Sequence, residues 1–144
     1  MTSDHNKRNR ASRDRLAAVI AQLGDRSIPL SGGWTAAALL AHLAFWDGLG
    51  AARLEKYIGD RRPMEFGSDA LTELINAAGL AQWTATPIRA AGTLATATAA
   101  RIDGLIEGLP KEAFDAIRAM NVPRVLDRSL HRKEHLDEIE RALR

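Results

Sequence analysis

The sequence predicts an all-α fold: a four-helix bundle with short extra helices in the connections. Apolar residues recur through most of the chain at the i, i+3, i+4, i+7 spacing of one helix face, and no run alternates with the period of two that marks a half-buried strand. With 144 residues and 46% hydrophobic content, one domain suffices, able to bury roughly two thirds of the surface its unfolded chain exposes.

Leu16, Val19, Ile20 and Leu23 define the first helix, and Gly24 is placed to stop it. Residues 1–15 read as a polar leader, flexible or forming the start of that helix, and residues 16–144 as the domain. After the turn-rich SIPLSGG, Trp34 leads into Thr35, an N-cap, and a second helix runs to about Ile58, with GDRRP ending it. Residues 68–78 suggest a short helix. Thr86-Pro87 then reads as an N-cap followed by proline at the first helical position, opening a third long helix to about Gly108. Its expected core face is Leu94, Thr98, Ile102, Leu105 and Leu109. A short KEAFDAIRAM helix follows, Pro123 breaks it, and the last helix is expected from about Arg124 to the end. Four longer helices joined in this way read as a bundle.

The absence of cysteine removes disulfides, thiolate metal sites, iron–sulfur clusters and a cysteine nucleophile together. Charge removes further classes. The first fifteen residues hold five Lys/Arg against two Asp, while the remaining chain carries 15 basic and 16 acidic groups and is nearly neutral. A nucleic-acid binder needs a basic stripe interleaved with aromatics, so no nucleic-acid partner is expected. The N-terminus lacks the apolar core of a secretory signal. The longest apolar run, WTAAALLAHLAFW, is too short to span a bilayer, so the reading is of a soluble cytoplasmic protein without a membrane partner.

The histidines carry the chemistry. His131 and His135 stand four apart near the C-terminus, where neighbouring β-carbons on one helix face lie about 5–6 Å apart and two imidazoles can converge on one ion. On the last helix Val125, Leu136, Ile139 and Leu143 form the core side, and Arg124, Arg128, His131, His135 and Ala142 a stripe at its margin. His42 lies in the apolar first half of the second helix, on a stripe with Thr35, Ala38, Leu39, Phe45, Trp46, Leu49 and Arg53. It is either a core histidine bonded to a backbone carbonyl or a third ligand from a neighbouring helix. Three imidazoles without carboxylate or thiolate suit zinc, nickel or a similar divalent ion, and leave coordination positions open. His5, in the leader, is expected to be solvated.

GGWTAAALLAHLAFWDG resembles the second helix of the DinB/YfiT-like metalloproteins: a tryptophan, a Ser/Thr cap, then a helix with a histidine followed by an aromatic and an acid. HRKEHLDEIERAL is similar to that family's closing H-x-x-x-H helix, and INAAGLAQW to its region between helices two and three. The likeness covers most of the chain from about Leu16. It implies a DinB-like bundle with His42, His131 and His135 as ligands, related to thiol-dependent S-transferases and to the N-terminal domains of maleylpyruvate isomerases. Ala38 departs from the pattern, standing where relatives commonly carry an acid. Some family members use mycothiol, bacillithiol or glutathione, and others look hydrolytic. A cysteine-free protein of this kind would borrow its sulfur.

Substrate-side candidates follow. Arg124 and Arg128 precede the histidines on their stripe, where a guanidinium can hold a carboxylate in bidentate fashion, unless they pair with Asp127, Glu134 or another helix. Trp46, on the His42 stripe, is a third candidate. HRKEH also fits H-x-x-E-H, a peptidase signature with glutamate as base. Such peptidases resemble much longer chains with a further acidic ligand downstream, and nine residues follow His135, so peptidase activity is not expected. Glu134 remains a weak catalytic candidate against the alternative of a solvated, ion-paired carboxylate. The rival class is a non-enzymatic homodimeric module, metal-binding or stress-related, for which Gly48 and Gly50 suggest close helix approach.

Overall fold

A computed structural model describes residues 3–144, and among them the chain is helical, with no named strand. Its helices are α1 (Asp4–Leu23), α2 (Ala36–Asp60), α3 (Asp69–Ala85), α4 (Ile88–Glu107), α5 (Lys111–Ala119), α6 (Pro123–Leu126) and α7 (Ser129–Leu143). None is long and apolar enough to cross a membrane. α2 is the central element and packs most extensively on α4, with α3 and α7 also against it, while α1 bridges α4 and α7.

Residues 4–15 form the first half of α1, and the first two residues of the expected leader lie outside the described residues. The apolar stripe begins only at Leu16, yet Asn9 and Ser12 are buried on the same face as Leu16, Val19 and Leu23. The early turns therefore pack through polar rather than apolar groups. His5 is not solvated: its ring is half-buried and stacks on Phe114 of α5, with centroids 5.6 Å apart.

α2 starts where expected, with Thr35 Oγ1 accepting from Ala38 N at 3.1 Å and Ser27 Oγ accepting from Ala37 N at 3.1 Å. These caps satisfy two amide donors that no helical carbonyl can reach. The small helix near 68–78 runs on to Ala85. Thr86 does not cap the following helix. As the residue before proline it is held extended, and its hydroxyl donates back to Gln82 O, closing α3 instead.

The core face of α4 is displaced from the expected one: Ala91, Gly92, Ala95, Ala99, Ile102 and Ile106 are buried, whereas Leu94 is half exposed. Small residues win because they meet the alanine-rich start of α2 and let the two backbones approach. At Gly50 an added Cβ would stand 2.6 Å from Ile102 Cδ1, and at Gly48 the nearest atom is Thr98 Cγ2 at 4.0 Å. Gly50 therefore accommodates α4 of the same chain, while at Gly48 a side chain would meet only ordinary contact.

The last helix is also broken. α6 ends at Leu126, Asp127 is extended, and α7 begins at Ser129. Asp127 Oδ1 accepts from Ser129 N, and Asn9 Oδ1 accepts from Arg128 N at 2.8 Å and Ser129 N at 3.1 Å. The amides that would have continued the helix upstream are thus capped by α1.

Two apolar clusters result. One joins Leu16–Leu23, Ala36–Ala44, Ala91–Ala99, Leu136 and Ile139, and the other joins Ala51–Tyr57, Ile102, Ile106, Ala113, Ile117 and Leu126. Between them, along α1, α2, α4 and α7, lies a polar layer of Asn9, Ser12, Asp47, Asp103 and Arg132, each at most 9% exposed. Arg132 donates to both Asp103 oxygens at 2.9 Å, to Asp47 Oδ2 at 3.2 Å and to Ser12 Oγ at 3.1 Å. Arg13 Nε adds a charge contact 2.9 Å from Asp103 Oδ2, without hydrogen-bond alignment. Burial pulls the Arg132 pKa down, but its bonds and charge contacts with Asp103 and Asp47 raise it above the ordinary arginine value.

Removing one partner of such a layer leaves a buried charge uncompensated. Asp103→Ala is therefore expected to lower unfolding stability by about 3–5 kcal/mol in urea titration, while Lys133→Ala, which breaks an exposed i, i+4 pair, should leave the midpoint nearly unchanged.

Candidate metal centre

His42, at 4% exposure inside α2, meets half-buried His131 and His135 of α7. His42 Nε2 lies 3.1 Å from His131 Nε2, and His131 Nε2 lies 3.0 Å from His135 Nε2. Each ring offers one nitrogen to a common point, and the three lie within 4.8 Å of one another.

The rings are held from outside. Trp34 and Trp83 meet the His42 ring edge-on at 5.3 and 5.2 Å, and Trp46 does so at 6.4 Å. His135 Nδ1 is 2.9 Å from Glu138 Oε1, a carboxylate that fixes Nδ1 as the protonated nitrogen and leaves the Nε2 lone pair free. Burial pushes His42 down to about 4, with a smaller push from the His135 charge. Burial, then the neighbouring His135 and His42, then Arg128 and Arg124, push His131 down to about 2. Both are neutral at physiological pH, as ligands must be.

Protons alone do not satisfy this cluster. With His135 Nε2 a bare acceptor, His131 Nε2 faces two ring nitrogens and carries at most one hydrogen, so the two contacts cannot both be ordinary hydrogen bonds. A divalent cation accepts all three lone pairs at once. Tetrahedral zinc with Zn–N bonds of ~2.0–2.1 Å separates its ligands by roughly 3.3–3.4 Å, close to the 3.1 and 3.0 Å that separate His131 from its two neighbours. The donor set fits such an ion.

The triad forms one wall of a cleft of about 710 Å³, also lined by Trp34, Leu39, Trp46, Asn76, Arg124, Arg128 and Glu134. Trp46 Nε1 donates to Asn76 Oδ1 at 2.9 Å, which fixes the indole plane against α3. The two arginines reach the cleft, but each already has a partner. Arg124 Nη2 pairs with Glu134 Oε1 at 2.7 Å, both side chains being more than half exposed. That is the solvated, paired carboxylate given above as the alternative for Glu134. Arg128 donates through Nε to Asp47 Oδ1 at 3.0 Å and through Nη1 to Arg124 O at 2.8 Å. Because the helix breaks at residues 127 and 128, Arg124 does not share a continuous stripe with the histidines.

Glu138 and the Asp47–Arg132–Asp103 layer were missed by the sequence reading. Glu138 had a signal, a carboxylate three residues after a ligand histidine on the same helix. Asp47 had another, as the only acid between Thr35 and Glu55. Comparison with family models, with curated proteins and with solved structures returned no match for this chain.

Replacing Glu138 by Gln removes the charge that orients and polarises His135, and is expected to weaken zinc affinity by about 10–100-fold in a competitive chelator titration. Single His42→Ala, His131→Ala and His135→Ala proteins should each lose the one retained ion per chain in elemental analysis. Full stoichiometry in His42→Ala would remove α2 from the site.

Proposed function

We propose that this chain is a DinB-like four-helix-bundle protein of the cytoplasm that binds one divalent ion, zinc or nickel, through His42, His131 and His135, and uses it in a thiol-dependent S-transfer or isomerisation. The convergence of three imidazole nitrogens on the wall of an open cleft carries this reading. Three protein ligands leave a position for an exogenous group, the pattern of a reactive rather than a closed structural site. When bound, the ion lowers the pKa of a coordinating thiol, supplying a nucleophile that the cysteine-free chain lacks.

The chain's own residues divide the remaining work. Glu138 holds the proton on His135 Nδ1. Trp34, Leu39 and Trp46 supply an apolar wall that excludes water from one side, and Thr72 and Asn76 add polar contacts from α3. Mycothiol, bacillithiol and glutathione all present a thiol on a polar, anionic body of a size such a cleft admits.

A second reading is a homodimeric metal-binding module without turnover. It is favoured by Leu71 and Leu74, exposed three residues apart on one face of α3.

Two measurements test the proposal. Metal that binds only the folded state adds about 2.7 kcal/mol at a hundredfold excess over Kd, so chelation should lower the melting temperature while the apolar clusters keep the protein folded. Complete unfolding on chelation would identify a structural site. In the cobalt-loaded protein, adding glutathione or mycothiol should produce a sulfur-to-metal charge-transfer band. Spectra unchanged by every low-molecular-weight thiol would favour the module.

A further inference from the structure

Leu49, Ala52, Arg53, Lys56 and Tyr57 recur at the i, i+3, i+4, i+7, i+8 spacing of one face of α2. The connection to α3 folds back beside that face. Arg61, in the left-handed region at φ 57°, ends α2 with its N–H donating to Tyr57 O, and Pro63 keeps the helix from resuming. Residues 62–65 then close a crevice of about 260 Å³ against the helix. Three cations line it, Arg53, Lys56 and Arg62, against a single acid, Glu65, and among the described residues none of the four stands in an ion pair. The neighbouring acids are engaged elsewhere: Glu55 accepts from Arg101 Nη2 at 2.8 Å, and Asp60 Oδ1 from Arg62 N at 2.9 Å. Arg53 is half-buried, and its guanidinium lies 4.9 Å over the Phe66 ring, which restricts its swing. Burial, with a smaller contribution from the Arg128 charge, lowers the Arg53 pKa, so the cation is held at a cost that a bound anion would offset. The remaining wall is apolar, built of Leu49, Ala52, Pro63, Met64 and the Tyr57 ring.

We propose that this crevice binds a small oxyanion carrying an apolar group, an aryl or alkyl carboxylate or phosphate monoester, with Arg53 as its principal ligand and Lys56 and Arg62 at its flanks. A guanidinium whose fork is free of carboxylates presents the paired donors that carboxylate and phosphate accept through charge-assisted hydrogen bonds. Lysine adds a point charge from the same helix face. The apolar wall selects what the anion carries, because inorganic phosphate would leave Leu49, Met64 and the Tyr57 ring without a partner. Pockets for drug-sized ligands span about 300–1,000 Å³, so a crevice just below that range takes one ring or a short chain. It shares no lining residue with the histidine cleft. The crevice is therefore a second ligand site, and its occupancy does not depend on the metal.

Calorimetric titration of the full chain with phenyl phosphate and, separately, with benzoate tests the site, the tighter of the two identifying the oxyanion class. Inorganic phosphate should bind at least tenfold more weakly than phenyl phosphate, and neutral benzyl alcohol should not bind measurably. Arg53→Gln should weaken binding of the tighter anion at least tenfold and Arg53→Lys less, while Arg89→Gln, whose guanidinium pairs with Asp25 elsewhere, should bind as wild type does. Nuclear magnetic resonance of the wild type gives a readout that needs no variant. The Arg53 Nε–H resonance should shift on adding the anion, and the ligand's ring protons should show Overhauser contacts to the Met64 methyl and the Tyr57 ring. Failure of both aromatic anions to bind, equal affinity for inorganic phosphate, undiminished binding by Arg53→Gln, or contacts to the cleft tryptophans Trp34 and Trp46 instead would each overturn the proposal.

Discussion

Arg132 is 1% exposed, and every other part of the site is registered against it. Its two-pronged contact with Asp103 ties α7 to α4, its bond to Asp47 ties α7 to α2, and its contacts with Ser12 and the Asn9 carbonyl tie α7 to α1. A charge of this kind is weak evidence of net stability, because burial costs much of what its partners return. Its effect is on register. An apolar seam tolerates sliding by a turn, whereas a guanidinium with five fixed acceptor atoms on four residues does not. His131 immediately precedes Arg132, His135 lies three residues beyond it, and Asp47 lies five residues beyond His42, so the contacts that satisfy Arg132 also bring the three imidazoles together.

The histidines sit at the outer edge of this layer, where the core gives way to the cleft. Their environment is dry enough to keep His42 and His131 neutral and open enough on the α7 side to admit a ligand. Glu138 and the tryptophans around His42 remove the rotational freedom that would otherwise cost affinity when an ion orders the rings. Asp47 links the two halves of the functional surface, since it accepts from both Arg132 in the core and Arg128 at the cleft.

The helical class, the Thr35 cap and the pairing of His131 with His135 are legible because each depends on local spacing: a hydrophobic period, a capping residue, an i, i+4 pair; spacing alone leaves His42 open between a core histidine and a ligand, and the family resemblance joins it to the pair. What was not legible depends on partners distant in sequence. Residues 4–15 read as a polar leader because Asn9 and Ser12 carry no apolar signal, and their burial follows only from Leu126, Arg128 and Arg132 more than a hundred residues away. The break before Ser129 has the same origin, since Asn9 supplies the cap. The face of α4 departs from the one its larger apolar residues mark, because close approach to α2 buries Ala91, Ala95 and Ala99 and turns Leu94 outward. For Arg124 and Arg128 the sequence leaves an anion clamp and pairing with Asp127, Glu134 or another helix both open; the carboxylates that pair with them are Glu134 across the helix break and Asp47 on α2.

The central claim is that one divalent ion is held by three imidazoles from two helices, with room for a further ligand. X-ray absorption spectroscopy of the zinc-loaded protein addresses it most directly. The account predicts three imidazole nitrogens at about 2.0–2.1 Å, with their outer-ring scattering, and one additional light-atom ligand from solvent. A shell containing fewer than three imidazoles, or one built of carboxylate oxygens, would contradict it.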